Sequence, residues 1–149
     1  MKPHFEIAFL PKAADFMNQL NDKAREKVFY NIKKSQFVRD EELLKKINEF
    51  IWEFRTLHNG IAYRLFAFWD KSNGRDTIVI ATHGFIKKKQ KTPFNEIRKA
   101  EEIRIAYLKN REKIRLTEIN FMTLEKSLRL FYLSLFSSWP GHLPAQTEN

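Results

Sequence analysis

Between His83 and Lys91 the chain carries one histidine and four lysines, in Thr82-His83-Gly84-Phe85-Ile86-Lys87-Lys88-Lys89-Gln90-Lys91-Thr92-Pro93. A titratable ring beside a run of ammonium groups is material for holding a polyanion and for moving a proton near it. Lysine runs are more often solvated than functional, so this one needs companions. Arg55 in Trp52-Glu53-Phe54-Arg55 and Arg64 in Tyr63-Arg64-Leu65-Phe66 supply them. Each is a permanently charged, planar donor fork set in a run that otherwise reads as buried, and such forks match phosphate oxygens. The bland alternative is a structural ion pair, for Arg55 with Glu53 or with a helix glutamate. Tyr63 and Trp52 read first as core, although an aromatic ring near cations can stack on a base.

Other chemistries are short of parts. The chain has no cysteine, which removes disulfides, thiolate metal sites and cysteine nucleophiles. His4, His58, His83 and His142 form no His-x-x-x-His pair and stand beside no acidic cluster, so no metal or other cofactor is expected. The four glycines are scattered, and no phosphate-cradling glycine loop or Gly-x-Ser-x-Gly elbow exists.

The elements that must position these residues follow from apolar spacing and turn chemistry. Phe5 to Leu10 reads as a strand ended by Pro11, followed by two helices across residues 12–35 with a break and N-cap at Asn21-Asp22. Leu43, Leu44 and Ile47 suit a short helical turn. Phe50–Leu57 and Ile61–Trp69 make a hairpin about His58-Asn59-Gly60. A turn over residues 70–76 leads to a strand at 77–82, and a helix spans about 96–109. The order is β-α-α-β-β-β-α. It describes an α+β domain with a small, mainly antiparallel sheet, N-terminal helices packed on one face and a C-terminal helix. Hairpin register is open. Pairing Leu57 with Ala62 sets Arg55 opposite Arg64 on one face, whereas pairing Leu57 with Ile61 sends them to opposite faces. Two facing arginines persist best where an anion or carboxylate bridges them.

Composition agrees with a charged surface on a real core. The sequence is 43% hydrophobic and 14% aromatic, with fourteen phenylalanines and a formal charge of +9. Residues 114–149 hold Arg115, Lys126 and Arg129 against Glu118, Glu125 and Glu148, so the whole excess lies in residues 1–113. That surface favours nucleic acid or an acidic protein. We expect residues 1–113 to form the domain and 114–149 an extension of unknown role, with a frayed end from Pro140. The run Leu128–Trp139 contains Arg129 and is too short to span a bilayer. It is a docked helix, a self-association or membrane-surface element, or an added segment without function. No secretory signal is visible, and a cytoplasmic location is expected.

Three blocks carry a family resemblance: Trp52-Glu53-Phe54-Arg55, Asn59-Gly60-Ile61-Ala62-Tyr63-Arg64-Leu65-Phe66, and His83-Gly84-Phe85-Ile86-Lys87-Lys88 through Gln90-Lys91-Thr92-Pro93. Over residues 5–110 the chain resembles the RelE/ParE superfamily of type II toxins, in particular its HigB-like, phage-derived branch. Lys89 departs from the small polar residue expected there. The resemblance implies a RelE-like fold and a ribosome-dependent, metal-independent endoribonuclease. Such an enzyme acts on messenger RNA in the ribosomal A site, through attack of a ribose 2′-hydroxyl on the adjacent phosphate. It implies Arg55 and Arg64 as phosphate clamps, Lys87 and Lys88 on backbone or leaving-group phosphate, and Lys88, Lys89 and Lys91 as RNA-binding residues. His83 is then the candidate proton carrier and Tyr63 a weaker one. The implied partner is an antitoxin of the helix-turn-helix, HigA-like kind. Two alternatives stand beside this reading: a ParE-like inhibitor of DNA gyrase, and a basic RNA- or DNA-binding module without catalysis.

Overall fold

The computed structural model describes residues 2–72, 74 and 78–137 and, past residue 113, the side chains of Met122, Lys126 and Arg129 alone. The order is β1 (Glu6–Phe9), α1 (Pro11–Gln19), α2 (Asp22–Ser35), β2 (Leu44–Lys46), β3 (Ile51–His58), β4 (Ile61–Asp70), β5 (Ile78–Lys87) and α3 (Phe94–Ser137). The strands form one mixed sheet in the order β1-β5-β4-β3-β2. β1 runs parallel to β5, and the other pairings are antiparallel. The chain divides into two compact units, Met1–Ala106 and Tyr107–Asn149.

Local chemistry explains the helices. Pro11 opens α1, where its missing N–H costs nothing. The Asn21 side chain caps α2 by accepting from the Ala24 N–H at 2.9 Å. Ala24, Val28 and Ile32 recur every fourth residue and are buried on one stripe of α2. Arg25 closes the preceding helix, donating to the Met17, Asn18 and Leu20 carbonyls at 2.8, 3.0 and 2.7 Å.

Both helices cover one face of the sheet. With Phe5, Phe54, Tyr63, Leu65, Ala67, Val79 and Ala81 their buried residues form the main core. α1 lies so close to β5 that a Cβ at Gly84 would collide with the Phe16 ring. Glycine at that position therefore answers a packing demand.

The hairpin turns through Asn59 (φ 50°) and Gly60 (φ 74°), the two positive values that a two-residue primed turn requires. Its register pairs Leu57 with Ala62 and Arg55 with Arg64. Of the two registers open from sequence, the one that sets the arginines face to face is adopted.

Three expectations need correction. Leu43 and Leu44 close a turn on the Asp40 carbonyl, their N–H groups donating to it at 3.0 and 2.9 Å, but it does not run on to Ile47, because residues 44–46 pair with Trp52–Phe54 as strand β2. Helical spacing over so few residues cannot outweigh the backbone bonds that an adjacent strand offers. β5 does not stop at Thr82 but continues to Lys87, through a bulge opposite Phe66/Ala67. The last helix does not end near residue 109; it continues to Ser137. The expected frayed end, residues 140–149, lies outside the described residues, as does most of the 70–76 turn.

Candidate nucleic-acid interface

Strand alternation sorts the sheet residues into two sets. Phe54, Tyr63, Leu65, Ala67 and Val79 point to the helix-covered core. Their neighbours Ile51, Glu53 and Arg55 on β3, Arg64, Phe66 and Phe68 on β4, and Ile80, His83, Phe85 and Lys87 on β5 take the second face. The registers arrange these in rows across the strands: Ile51–Phe68–Ile80, then Lys45–Glu53–Phe66–His83, then Arg55–Arg64–Phe85, then Leu57–Ala62–Lys87. One end of this face is thus apolar and the other basic.

The start of α3 lies on the apolar end. Ala100 is fully buried there, the Asn48 side chain donates to Glu101 at 2.7 Å, and Arg104 sits 3.7 Å from the Phe50 ring centroid. Ile51, Phe66 and Phe68 are at most 1% exposed. Helices therefore pack on both faces, and the layer formed by α3 separates the sealed end from the open one.

At the basic end Arg55 and Arg64 face each other across the hairpin, and Glu53 lies between them. Glu53 Oε1 is 3.5 Å from Arg55 Nε and 3.3 Å from Arg64 Nε. Both Nε atoms are buried, and neither makes a hydrogen bond of good geometry. We read the contact as charge pairing rather than as two hydrogen bonds, because the distances fit but the N–H directions do not. Arg64 Nη1 donates to the Tyr63 carbonyl at 3.1 Å. Arg55 also reaches the exposed Glu42, at 3.8 Å.

Two positive charges against one carboxylate leave an excess, increased by the neighbouring lysines. Lys87 is held below its ordinary pKa, first by burial and then by Arg64, with Arg55 and Lys45 adding repulsion and Glu53 opposing. Arg64 is lowered too, chiefly by burial, with Glu53 opposing and Arg55 reinforcing, yet an arginine stays charged throughout the usual pH range. A bound anion would relieve the repulsion among these groups. The arrangement is suited to gripping a phosphate.

The sequence candidates separate into three groups. Arg55, Arg64 and Lys87 are brought together. Lys88, Lys89 and Lys91 are exposed in the loop between β5 and α3. Tyr63 and His83 are not delivered to the basic end. Tyr63 is 4% exposed in the main core, on the opposite face of the sheet.

His83 shares the face but lies in the sealed row, 2% exposed. Its Nε2 is 2.6 Å from Glu96 Oε2, its Nδ1 is 3.2 Å from Thr82 Oγ1, and its ring stacks on Phe85. Burial lowers its pKa, with the Glu96 hydrogen bond and charge opposing. The ring is thus enclosed by Glu96, Thr82 and Phe85.

Sequence reasoning missed Lys45, hidden by the helical reading of 43–47, and undervalued Glu53, which it treated only as a partner for Arg55. The alternation of Trp52-Glu53-Phe54-Arg55 carried the signal that Glu53 and Arg55 share a face. Among the described residues no group of three or more His, Cys, Asp or Glu is placed to hold a metal ion. No helix among them is long and apolar enough to cross a membrane.

Fold and site together define an α+β protein whose sheet carries a cluster of cations, Arg55, Arg64 and Lys87, at one end of a face. Residues 15–104 match the family described as Phage derived protein Gp49-like, and the chain belongs to that family. No curated protein matches. Among solved structures, a chain of the toxin-antitoxin complex RelBE2 from Mycobacterium tuberculosis is similar at 15% identity and a TM-score of 0.38. That match covers 58% of this chain and 100% of the other.

Proposed function

We propose that this chain is the toxin of a type II toxin–antitoxin pair: a ribosome-dependent, metal-independent endoribonuclease that cuts messenger RNA. The sequence resemblance to RelE/ParE toxins and membership of a phage-derived family support the reading. The observation that carries it is Arg55 opposite Arg64, with Lys87 one row further on the same open face.

Cleavage begins when the ribose 2′-hydroxyl gives up its proton to solvent water and its oxygen attacks the adjacent phosphorus. As the P–O bond to the 5′-oxygen breaks, a 2′,3′-cyclic phosphate forms and the leaving 5′-oxygen takes up a proton. Arg55 and Arg64 stabilise the dianionic phosphorane. Lys87, whose pKa is depressed mainly by burial, is suited to give that proton. The exposed lysines 88, 89 and 91 hold flanking phosphates. Residues 1–113 form the toxin domain in this reading, acting in the cytoplasm under the control of a helix-turn-helix antitoxin.

The test is to map message ends after induction, with Arg64→Ala as the control. New ends bearing a 5′-hydroxyl, lost in a folded Arg64→Ala protein, are the expected result. Cleavage retained in that variant removes Arg64 from the mechanism. The burial of His83 and Tyr63 favours a second reading, RNA binding without catalysis, which predicts no new ends at all. Inhibition of supercoiling by purified protein with message intact would point instead to a gyrase inhibitor.

A further inference from the structure

Glu53 is 2% exposed and sits on β3 between a half-buried and a buried arginine. A buried carboxylate is costly unless both oxygens are engaged. In Glu53 they face different parts of the surface. Oε1 serves the Nε atoms of Arg55 and Arg64, while Oε2 accepts from the Thr92 hydroxyl at 3.3 Å. Thr92 lies in the segment between Lys87, the last residue of β5, and Phe94, the first of α3. That segment carries Lys88, Lys89 and Lys91. One carboxylate therefore touches both the arginine pair and the lysine loop.

We propose that Glu53 is a positioning residue that couples these two halves of the RNA-binding surface. This rests on the ribonuclease reading above. Without a shared counter-charge, two guanidiniums on directly opposed strand positions repel and splay. Without the Thr92 contact, the lysine loop loses its tie to the strand that carries Arg55. The second tie of this region, Glu96 to His83, lies beyond Thr92 and reaches β5 instead. Glu53 is buried and stays off the substrate. Its effect is to set where the arginine forks stand relative to the loop.

Glu53→Gln removes the charge but keeps an acceptor for Thr92, and Thr92→Val removes the hydroxyl while nearly keeping the shape. With the full chain in a purified translation system, Glu53→Gln is expected to lower kcat by about tenfold to a hundredfold, as misplaced catalytic groups do. Thr92→Val is expected to raise KM by about threefold to tenfold with a smaller change in kcat, the mark of lost binding rather than lost transition-state contact.

The independent readout is the pair of Nε–Hε NMR signals of Arg55 and Arg64. Thr92→Val, which touches neither arginine, should shift both through Glu53. Unmoved signals in Thr92→Val, or a folded Glu53→Gln protein with wild-type kcat, would overturn the coupling. If the wild type cleaves no message while the signals still shift, the coupling is supported and the ribonuclease reading fails alone.

Discussion

The two ends of the second sheet face are built by the same alternation on the same three strands, yet they do opposite work. At one end Ile51, Phe66 and Phe68 lie beneath the start of α3, and His83 is drawn in with them. At the other, past Glu53, Arg55 and Arg64 meet Lys87 and the exposed lysine loop. What separates them is coverage. A polar residue beneath a helix must be satisfied internally, as His83 is by Glu96 and Thr82. A cation cluster left open keeps its excess charge for a ligand.

The contrast can be broken first at its sealed end. Phe66→Ala should destabilise the protein by about 3–5 kcal/mol, since a fully buried ring leaves a cavity. Chemical denaturation measures this, and a loss below about 1 kcal/mol would mean that α3 does not seal this end.

Arg64→Ala acts at the open end. It should lower cleavage by about a hundredfold to a thousandfold, the usual effect of losing one stabiliser of transition-state charge. Its effect on the melting temperature should be small by comparison with Phe66→Ala, because removing one of two facing cations also removes a repulsion.

His83→Gln tests the boundary between the ends. It should cost about 1–3 kcal/mol, the effect of disturbing a buried hydrogen-bonded group, while cleavage falls far less than in Arg64→Ala. The sign of its pH dependence is also fixed. The folded pKa lies below the ordinary 6.5, with burial as the leading cause. In the window between that lowered value and 6.5 the unfolded chain therefore binds a proton that the folded chain does not. The stability contributed by the neutral ring is complete above about 6.5 and declines as pH falls below it. Thermal melts across that window should show the decline in the wild type and a shallower one in His83→Gln. A wild-type melting temperature that rises on acidification would contradict the buried, neutral ring.

The smallest effect belongs to the exposed loop. Lys88→Ala should weaken RNA binding almost uniformly across sequences and reduce the salt slope of binding by about one. An unchanged slope would leave Lys88 as an ordinary solvated lysine, the bland reading that lysine runs invite.

Much of this division was legible in sequence. Asn59-Gly60 has the two small residues that tolerate positive φ, so the hairpin and its position followed from local sterics. The ion pair of Arg55 with Glu53 was among the readings, the facing of Arg55 and Arg64 was one of two registers, and the lysine run marked the basic end. Local signals failed where a distant partner decided. Leu44–Lys46 is a strand only because β3 lies beside it. β5 reaches Lys87 because β4 continues to pair beyond the bulge at Phe66/Ala67.

By itself the sequence determined the charge of the surface, the arginines that furnish it and the turn that brings their strands together, because composition, side-chain period and turn sterics are local properties. Tertiary structure decided which of the two hairpin registers is used, which end of the face α3 covers, and hence that His83 is enclosed while Lys87 is not. It also placed Glu53 where one carboxylate meets both arginines and Thr92. Burial and charge pairing depend on what lies against a residue in space, and Glu96 is 13 positions from His83, and Thr92 39 positions from Glu53, in the chain.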